Sequence, residues 1–405
     1  LAKRRPTLLA AQAWLAHTQG RVAEIPALAQ EAEAALASIR SELDEQSEQL
    51  LRGDIDAVWA TALYWQTFTQ EQSLQLLEVA RRALTRVPVA HTFVYSSMMM
   101  GNAHAHLLAG QPDQALRFLQ ETLEQTPHQT DLFRVRLLYV RALIELITGD
   151  LPRCVQTLQG LVTIATASHF AFDLGWAYHM LGMIHYEWND LVTAHRHFSA
   201  VLELGHPVQV IAALDARLGL ALIHQAQGQM AQAQAQAESA FALTTEWRMG
   251  HLQTELRTFQ ARLLLRQGEV AAAARQLETV TLHKPPGFMA TLETPHLTRA
   301  RVLVAQGSVT TLQAARELLH ELRATAESYH NGWRLVVILA LEALIDQAED
   351  RCEQALALLA RAVALARPGG FVRTWVDLGP AMARLLYQLA ARGVEAEYLG
   401  QVLAA

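Results

Sequence analysis

The chain has 405 residues, of which 51% are apolar and 18% are charged. This composition excludes a disordered chain, because enough apolar surface is present to build a core without disulfide or metal staples. The formal net charge of -6 argues against a surface that neutralises nucleic-acid phosphates.

The cysteines and the apolar runs give no sign of an extracellular or membrane protein. Cys154 and Cys352 are far apart in sequence, which gives neither a disulfide framework nor a zinc-binding spacing. The longest dense apolar run, residues 335–341, is much shorter than the roughly 18 to 20 residues of a membrane-spanning helix. We therefore expect no membrane association and a cytoplasmic location.

Turn signals recur along the chain at nearly constant intervals and separate pairs of amphipathic segments. Their first residues are Gly20, Glu71, Gly110, Gly149, Asn189, Gly228, Gly268, Gly307 and Asp350. Six of the eight intervals are 39 or 40 residues. Because glycine is favoured just after the last turn of a helix, each signal is predicted to end one helix and begin the next. The sequence thus predicts about nine helical hairpins.

Small residues stand at two fixed positions in these repeats. Seven residues before the turn are Ala13, Tyr64, Ala103, Ala142, Gly182, Ala221, Ala261, Ala300 and Ala343. Five residues after it, six repeats have Ala115, Cys154, Ala194, Ala233, Ala273 and Ala355. Small side chains let two helix backbones approach closely, so these positions are predicted to form the contacts within and between hairpins.

Prolines mark the ends of the second helices, because proline cannot continue a helix. They are Pro88, Pro127, Pro207, Pro285 and Pro368. In the eighth repeat, residues 309–311 are expected to lengthen the inner turn by about three residues, since the interval to the next signal is longer.

This pattern resembles the tetratricopeptide repeat (TPR) over residues 7–367, although the repeat is longer than the usual TPR unit. The resemblance implies an all-α, right-handed superhelix of about nine TPR-like hairpins with a period of 39–40. We assign residues 1–367 to this array and residues 368–405 to C-terminal capping helices. A TPR array brings no catalytic residue with it.

The C-terminal block contains Gly370-Phe371-Val372-Arg373 and then Asp377-Leu378-Gly379-Pro380. Asp377 with Pro380 is a plausible helix start. The block resembles the end of the regulatory domain in MalT-type, LuxR-family large ATP-dependent transcription activators. The opening Arg5-Pro6-Thr7-Leu8 with Ala13-Trp14 resembles the entry to the same domain. In that family the order is an NTPase module, a winged-helix region, the superhelix and a helix-turn-helix DNA reader.

The resemblance implies a sensor domain that binds a small-molecule inducer or a regulatory protein or peptide, with self-association possible. No Gly-x-x-x-x-Gly-Lys-Ser/Thr motif occurs, and only Lys3 and Lys284 are lysines. The chain ends at Ala405, where the DNA-binding module of the family would begin. We therefore expect ATP binding and operator recognition to belong to other parts of a parent protein. No cofactor and no direct nucleic-acid contact are expected here.

Catalytic and metal-binding signatures are missing from the sequence. His320-Glu321 is not followed by a second histidine at metalloprotease spacing. The pairs His104/His106 and His195/His197 would point to opposite sides of a helix, which does not suit shared metal coordination. We expect a binding protein and not an enzyme.

Candidate binding residues follow from the geometry of stacked hairpins, in which the first helix of each pair lines the concave side. The row facing that side is predicted to include Trp65, Met100, His104, Arg136, Tyr139, Trp176, His179, Met183, Tyr186 and Arg262. Aromatic faces beside hydrogen-bonding groups suit a sugar, a peptide or an apolar small molecule. The alternative for each residue is packing between neighbouring repeats. The alternative for the whole chain is a stand-alone TPR scaffold that binds a peptide in its groove.

Overall fold

A computed structural model describes residues 5–18, 21–66, 70–87, 92–126, 129–205, 210–246, 252–282 and 291–405. Every regular element in these ranges is a helix. The described chain forms two compact units, residues 1–144 and 145–405. The prediction of an all-α fold built from TPR-like hairpins is confirmed. The division between residues 367 and 368 stays a prediction.

The N-terminal unit consists of helical hairpins. Its helices are α1 (Pro6–Thr18), α2 (Ile25–Ile39), α3 (Glu45–Gln66), α4 (Gln70–Arg86), α5 (Thr92–Leu108), α6 (Pro112–Gln125) and most of α7 (Asp131–Thr148). The pairs α1–α2, α3–α4 and α5–α6 pack together. Each pair buries one apolar face, which is why neither helix needs to be stable alone.

The C-terminal unit continues the same pattern and ends in three further helices. Its helices are α8 (Leu151–Ala167), α9 (Ala171–Glu187), α10 (Leu191–Glu203), α11 (Val210–Ala226), α12 (Met230–Glu246), α13 (Gln253–Arg266), α14 (Val270–Glu278), α15 (Pro295–Gln306), α16 (Val309–Ser328), α17 (Gly332–Ala348), α18 (Cys352–Ala366), α19 (Arg373–Val376), α20 (Gly379–Ala391) and α21 (Ala396–Ala404). Successive pairs from α9–α10 to α17–α18 pack as hairpins.

Most predicted turns have the left-handed backbone that favours glycine or asparagine. Positive φ angles occur at Gly110, Gly149, Asn189, Gly228, Gly268, Gly307 and Asp350. Gly20 lies outside the described residues. The turn predicted at Glu71 is wrong, because this residue already belongs to α4. The predicted signal at Glu71 has no glycine or asparagine, the residues that favour the end of a helix.

The predicted small residues lie at the helix contacts, as expected. Ala103, Ala261 and Cys154 are each 0% exposed. At Gly182 of α9, a Cβ atom would lie only 2.5 Å from the ring of Phe198 in α10, and a Cβ at Gly219 of α11 would collide with the same ring. Phe198 is therefore held between two helix backbones that only glycine allows to come so close.

Two local expectations had other outcomes. The predicted long turn at residues 309–311 is wrong: α16 begins directly at Val309, and Ser308 and Thr311 form a capping box. That box satisfies two backbone N–H groups, so the residues form a helical turn instead of a loop. Four of the predicted helix-ending prolines lie outside the described residues, and Pro368 lies in the 3-10 turn Arg367–Gly369. In the described residues no helix has both the length and the apolar character needed to cross a bilayer.

Candidate functional site

In the N-terminal unit, the predicted binding row mostly packs against neighbouring helices. His104 is buried, and burial lowers its pKa to about 4 although the Met100 backbone offers a hydrogen bond. The Arg136 guanidinium of α7 donates to Ser97 Oγ of α5 at 3.0 Å. Met100 and Tyr139 are half-buried. The side chain of Trp65 lies outside those the structure describes.

Two predicted residues of the C-terminal unit pack in its interior. His179 is fully buried, and its Nε2 lies 2.9 Å from Asp215 Oδ2. Trp176 is half-buried and meets the His179 ring edge to face, with 5.6 Å between centroids. These contacts are structural, and neither residue lines the cavity described next.

Three predicted residues, Met183, Tyr186 and Arg262, line a cavity of about 100 Å³ within the C-terminal unit. Its walls come from the first helices of five repeats, α7, α9, α13, α15 and α17, and from residues 291–294 and 374–378. Apolar walls are supplied by side chains such as Trp333 and Val337. The rule that first helices form the inner side therefore describes this cavity.

The C-terminal block folds back onto α9 and closes one side of the cavity; we call residues 369–378 the return segment. Trp188 Nε1 donates to the Gly369 carbonyl at 2.8 Å. The Glu187 carboxylate accepts two hydrogen bonds from Thr374, from the backbone N–H at 2.8 Å and from Oγ1 at 3.0 Å. Phe371 is fully buried, with its ring 5.3 Å from that of Trp333.

Asp377 is the polar centre of this closure. Its Oδ2 accepts a hydrogen bond from the Tyr186 hydroxyl at 2.8 Å, and its Oδ1 lies 3.1 Å from Arg266. Arg373 also pairs with this carboxylate, and Arg262 approaches Oδ2 to 3.8 Å. Burial alone would raise the pKa of Asp377, but the three arginines outweigh burial and hold the pKa below its usual value.

A helix does begin next to Asp377, as predicted, but Asp377 is not its N-cap. Helix α20 begins at Gly379, with Leu378 at the N-cap and no capping side chain. The carboxylate is used instead by the guanidinium groups, because charge-assisted hydrogen bonds are stronger than a single neutral cap.

A second short stretch, residues 291–294, covers the cavity from the other side; we call it the strap. Asp215 Oδ2 accepts a hydrogen bond from the Leu292 N–H at 2.8 Å, and the Leu292 carbonyl accepts one from Arg262 at 2.8 Å. Glu293 is 3% exposed, and burial raises the pKa of its carboxyl. The nearest guanidinium nitrogen is that of Arg262, at 3.6 Å.

Two further arginines line the cavity. Burial, together with the nearby Arg262 charge, lowers the pKa of Arg301 to about 10. Burial alone lowers the pKa of Arg334 to about 10. Both stay cationic at neutral pH, so the wall presents three guanidinium groups, those of Arg262, Arg301 and Arg334.

Sequence reasoning missed the strap, the return segment, Trp333 and Arg334 as parts of one site. Arg266 and Arg301 lie on α13 and α15, which are first helices of their repeats and so were expected to line the concave side. The spacing between Tyr186 and Asp377 carries no local signal. The signal that could have found the return segment is the spacing of Arg373 and Asp377, because side chains four residues apart meet on a helix.

The arrangement suits noncovalent recognition. Cationic forks, hydroxyl groups and aromatic rings converge on a concave apolar space, which is the usual composition of a small-molecule site. In the described part of the chain, no group of three or more His, Cys, Asp or Glu residues is placed to hold a metal ion. The buried Cys154 thiol has a raised pKa because of its burial, so it is not an activated nucleophile.

Fold and site together define a helical repeat protein of TPR type whose first helices enclose a ligand-sized cavity. The family described as the MalT-like TPR region matches residues 53–392, and the chain belongs to this family. Both the strap and the return segment lie inside the matched region. A search of the curated proteins found no match.

Proposed function

We propose that this chain is the sensor domain of a MalT-type, LuxR-family transcription activator and that its effector binds in the cavity of the C-terminal unit. The observation that carries the proposal is the closure of the cavity by the return segment. Residues 374 and 377 belong both to the wall and to the segment that leads to the last helices. An effector therefore touches the part of the chain that continues toward the C-terminus.

The physical basis for signalling is a difference in binding between two states. An effector shifts a conformational equilibrium only if it binds one state better than the other. Tyr186 and Arg262 line the cavity and also contact Asp377, so a ligand on these groups changes the balance of the contacts that hold the return segment. The role proposed is binding and transmission, without catalysis.

The test is a thermal-shift screen of sugars, nucleotides and amphipathic peptides on the full chain. Binding at 100 times the dissociation constant should stabilise the protein by about 2.7 kcal/mol. Val337→Phe fills the cavity from a buried position and should abolish the shift, whereas Val192→Phe, at a position 79% exposed, should leave it unchanged.

Hydrogen exchange then tests transmission. A hit should slow exchange in residues 369–378 in the wild type but not in Val337→Phe. A peptide hit that binds Val337→Phe normally would favour the scaffold function instead. Effector binding without any change in the return segment would overturn the transmission route.

A further inference from the structure

Arg301 is a cation of the cavity wall that has no direct ion-pair partner in the described part of the chain. There, no carboxylate oxygen lies within 4.0 Å of its guanidinium, and it makes no hydrogen bond. Such a group costs free energy when it is withdrawn from water, unless a charge or a hydrogen bond compensates it. The carboxylates of Glu293 and Asp377 favour the charged form of Arg301 at longer range, but neither pairs with it directly, so the compensation is partial.

The carboxylates nearby have other groups as their nearest partners. Asp377 accepts from Tyr186 and pairs with Arg266 and Arg373. Glu187 uses both oxygens on Thr374. Of the remaining two, Glu293 lies nearest to Arg262, at 3.6 Å, and Asp215 accepts from His179 and Leu292. Glu293 and Asp377 act on Arg301 only from a longer range, so no carboxylate of the site forms a direct ion pair with it.

We propose that the cavity recognises an anionic effector, whose carboxylate or phosphate group is bound by Arg301 with support from Arg334 and Arg262. The inference rests on the proposed function, since it names the ligand class of the same site. The planar guanidinium of arginine presents paired N–H donors that match the oxygens of a carboxylate or a phosphate. Partial burial strengthens the electrostatic attraction between the guanidinium and such an anion. The apolar side of Trp333 and Val337 would hold the uncharged body of the effector.

The size of the space limits the effector to a small metabolite. A water molecule needs about 10 to 15 Å³ of such volume, so this cavity offers roughly seven to ten water-sized positions. A cavity of this volume fits an aromatic or aliphatic acid with few heavy atoms and is too small for a peptide helix.

The experiment uses matched probes on the full chain in a buffer without phosphate. Benzoate and phenyl phosphate are the anionic probes, and benzamide and benzyl alcohol are neutral probes of similar shape. We expect at least one anion to raise the melting temperature and to give measurable heat on titration, with both neutral probes at least tenfold weaker. The stronger of the two anions identifies carboxylate or phosphate as the group selected.

Variants of α15 locate the contact. Arg301→Gln should weaken binding of the better anion at least tenfold, and Arg301→Lys should retain part of it. Arg299→Gln, an exposed arginine two positions away on the same helix, is the control and should bind normally. Without ligand, Arg301→Gln should melt no lower than the wild type, because a buried cation without a direct partner has been removed.

Equal binding of benzoate and benzamide, or normal anion binding by Arg301→Gln, would overturn the inference. The proposed function would survive that outcome if a neutral compound from the screen still failed to bind Val337→Phe. Anion binding unaffected by Val337→Phe would place the anion outside the cavity and would overturn this inference as well.

Discussion

In the N-terminal unit the predicted binding row is covered by neighbouring helices of the array, whereas in the C-terminal unit part of the same row borders a cavity. Arg136 reaches Ser97, on the first helix of the preceding repeat. Tyr186 and Arg262 instead reach residues 377 and 292, in segments that belong to no repeat helix. The repeat register therefore determines which face of a helix is turned inward, while segments outside the register determine whether that face packs or binds.

The largest loss of folding stability is expected from a substitution in the helix stacking, which the two units have in common. Phe198→Ala should destabilise the C-terminal unit by about 4 to 5 kcal/mol, because a fully buried ring is removed from between two helices that glycines bring close. Urea unfolding followed by circular dichroism measures it. Phe172→Ala, at a position 38% exposed, is the control and should cost much less. Similar losses for both variants would contradict the packing described.

A somewhat smaller loss should follow from breaking the polar closure. Asp377→Asn should cost about 3 to 4 kcal/mol, since Arg266, Arg373 and Arg262 would lose the carboxylate they share. Hydrogen exchange should show the loss first in the return segment, with α9–α12 protected. Asp350→Asn is the matched control, because that exposed turn residue has a left-handed backbone that asparagine tolerates. Unchanged protection of residues 369–378 in Asp377→Asn would show that the ion pairs do not hold the segment.

The repeat helices were largely predictable because their contacts recur at a fixed spacing. Ala103 and Ala261 occupy equivalent positions in the sequence, and both are fully buried. The site was only partly predictable. Its walls come largely from first helices of the repeats, whereas the strap and the return segment lie outside the repeat helices. Asp377 illustrates the limit: a local rule assigned it to a helix cap, but its carboxylate pairs with the neighbouring Arg373 and with Arg262 and Arg266, which are distant in sequence.

The third prediction concerns pH and the hold of Glu187 on the return segment. Burial raises the pKa of Glu187 to about 7, against the lowering by the Thr374 hydrogen bonds, while Asp377 adds to the rise and Arg373 opposes it. The folded-state pKa thus lies above the unfolded one, so this group favours folding most at low pH. Its contribution is lost as the pH rises from about 4.5 through 7, by at most about 3 kcal/mol.

Glu187→Gln does not titrate and should remove this dependence. The amide can still accept from the Thr374 N–H and donate to its hydroxyl, so the contacts to the segment are kept. Melting temperatures of both proteins from pH 5 to 8.5 should show the variant gaining relative to the wild type up to about pH 7 and then levelling off. A constant difference across that range would mean that Glu187 has an ordinary pKa.

The smallest effects on stability are expected for two matched variants, one in each unit, and their comparison tests the difference between the units most directly. Trp188→Phe removes the hydrogen bond to the Gly369 carbonyl, and Ser97→Ala removes the acceptor of Arg136. Each should cost about 1 kcal/mol, since each removes one partly buried hydrogen bond. Of the two variants, only Trp188→Phe should speed exchange in residues 369–378 and weaken effector binding, because the bond it removes holds the return segment and the bond removed by Ser97→Ala does not. If Ser97→Ala weakened effector binding equally, the binding face would extend into the N-terminal unit, and the distinction between a packed row and a binding row would fail.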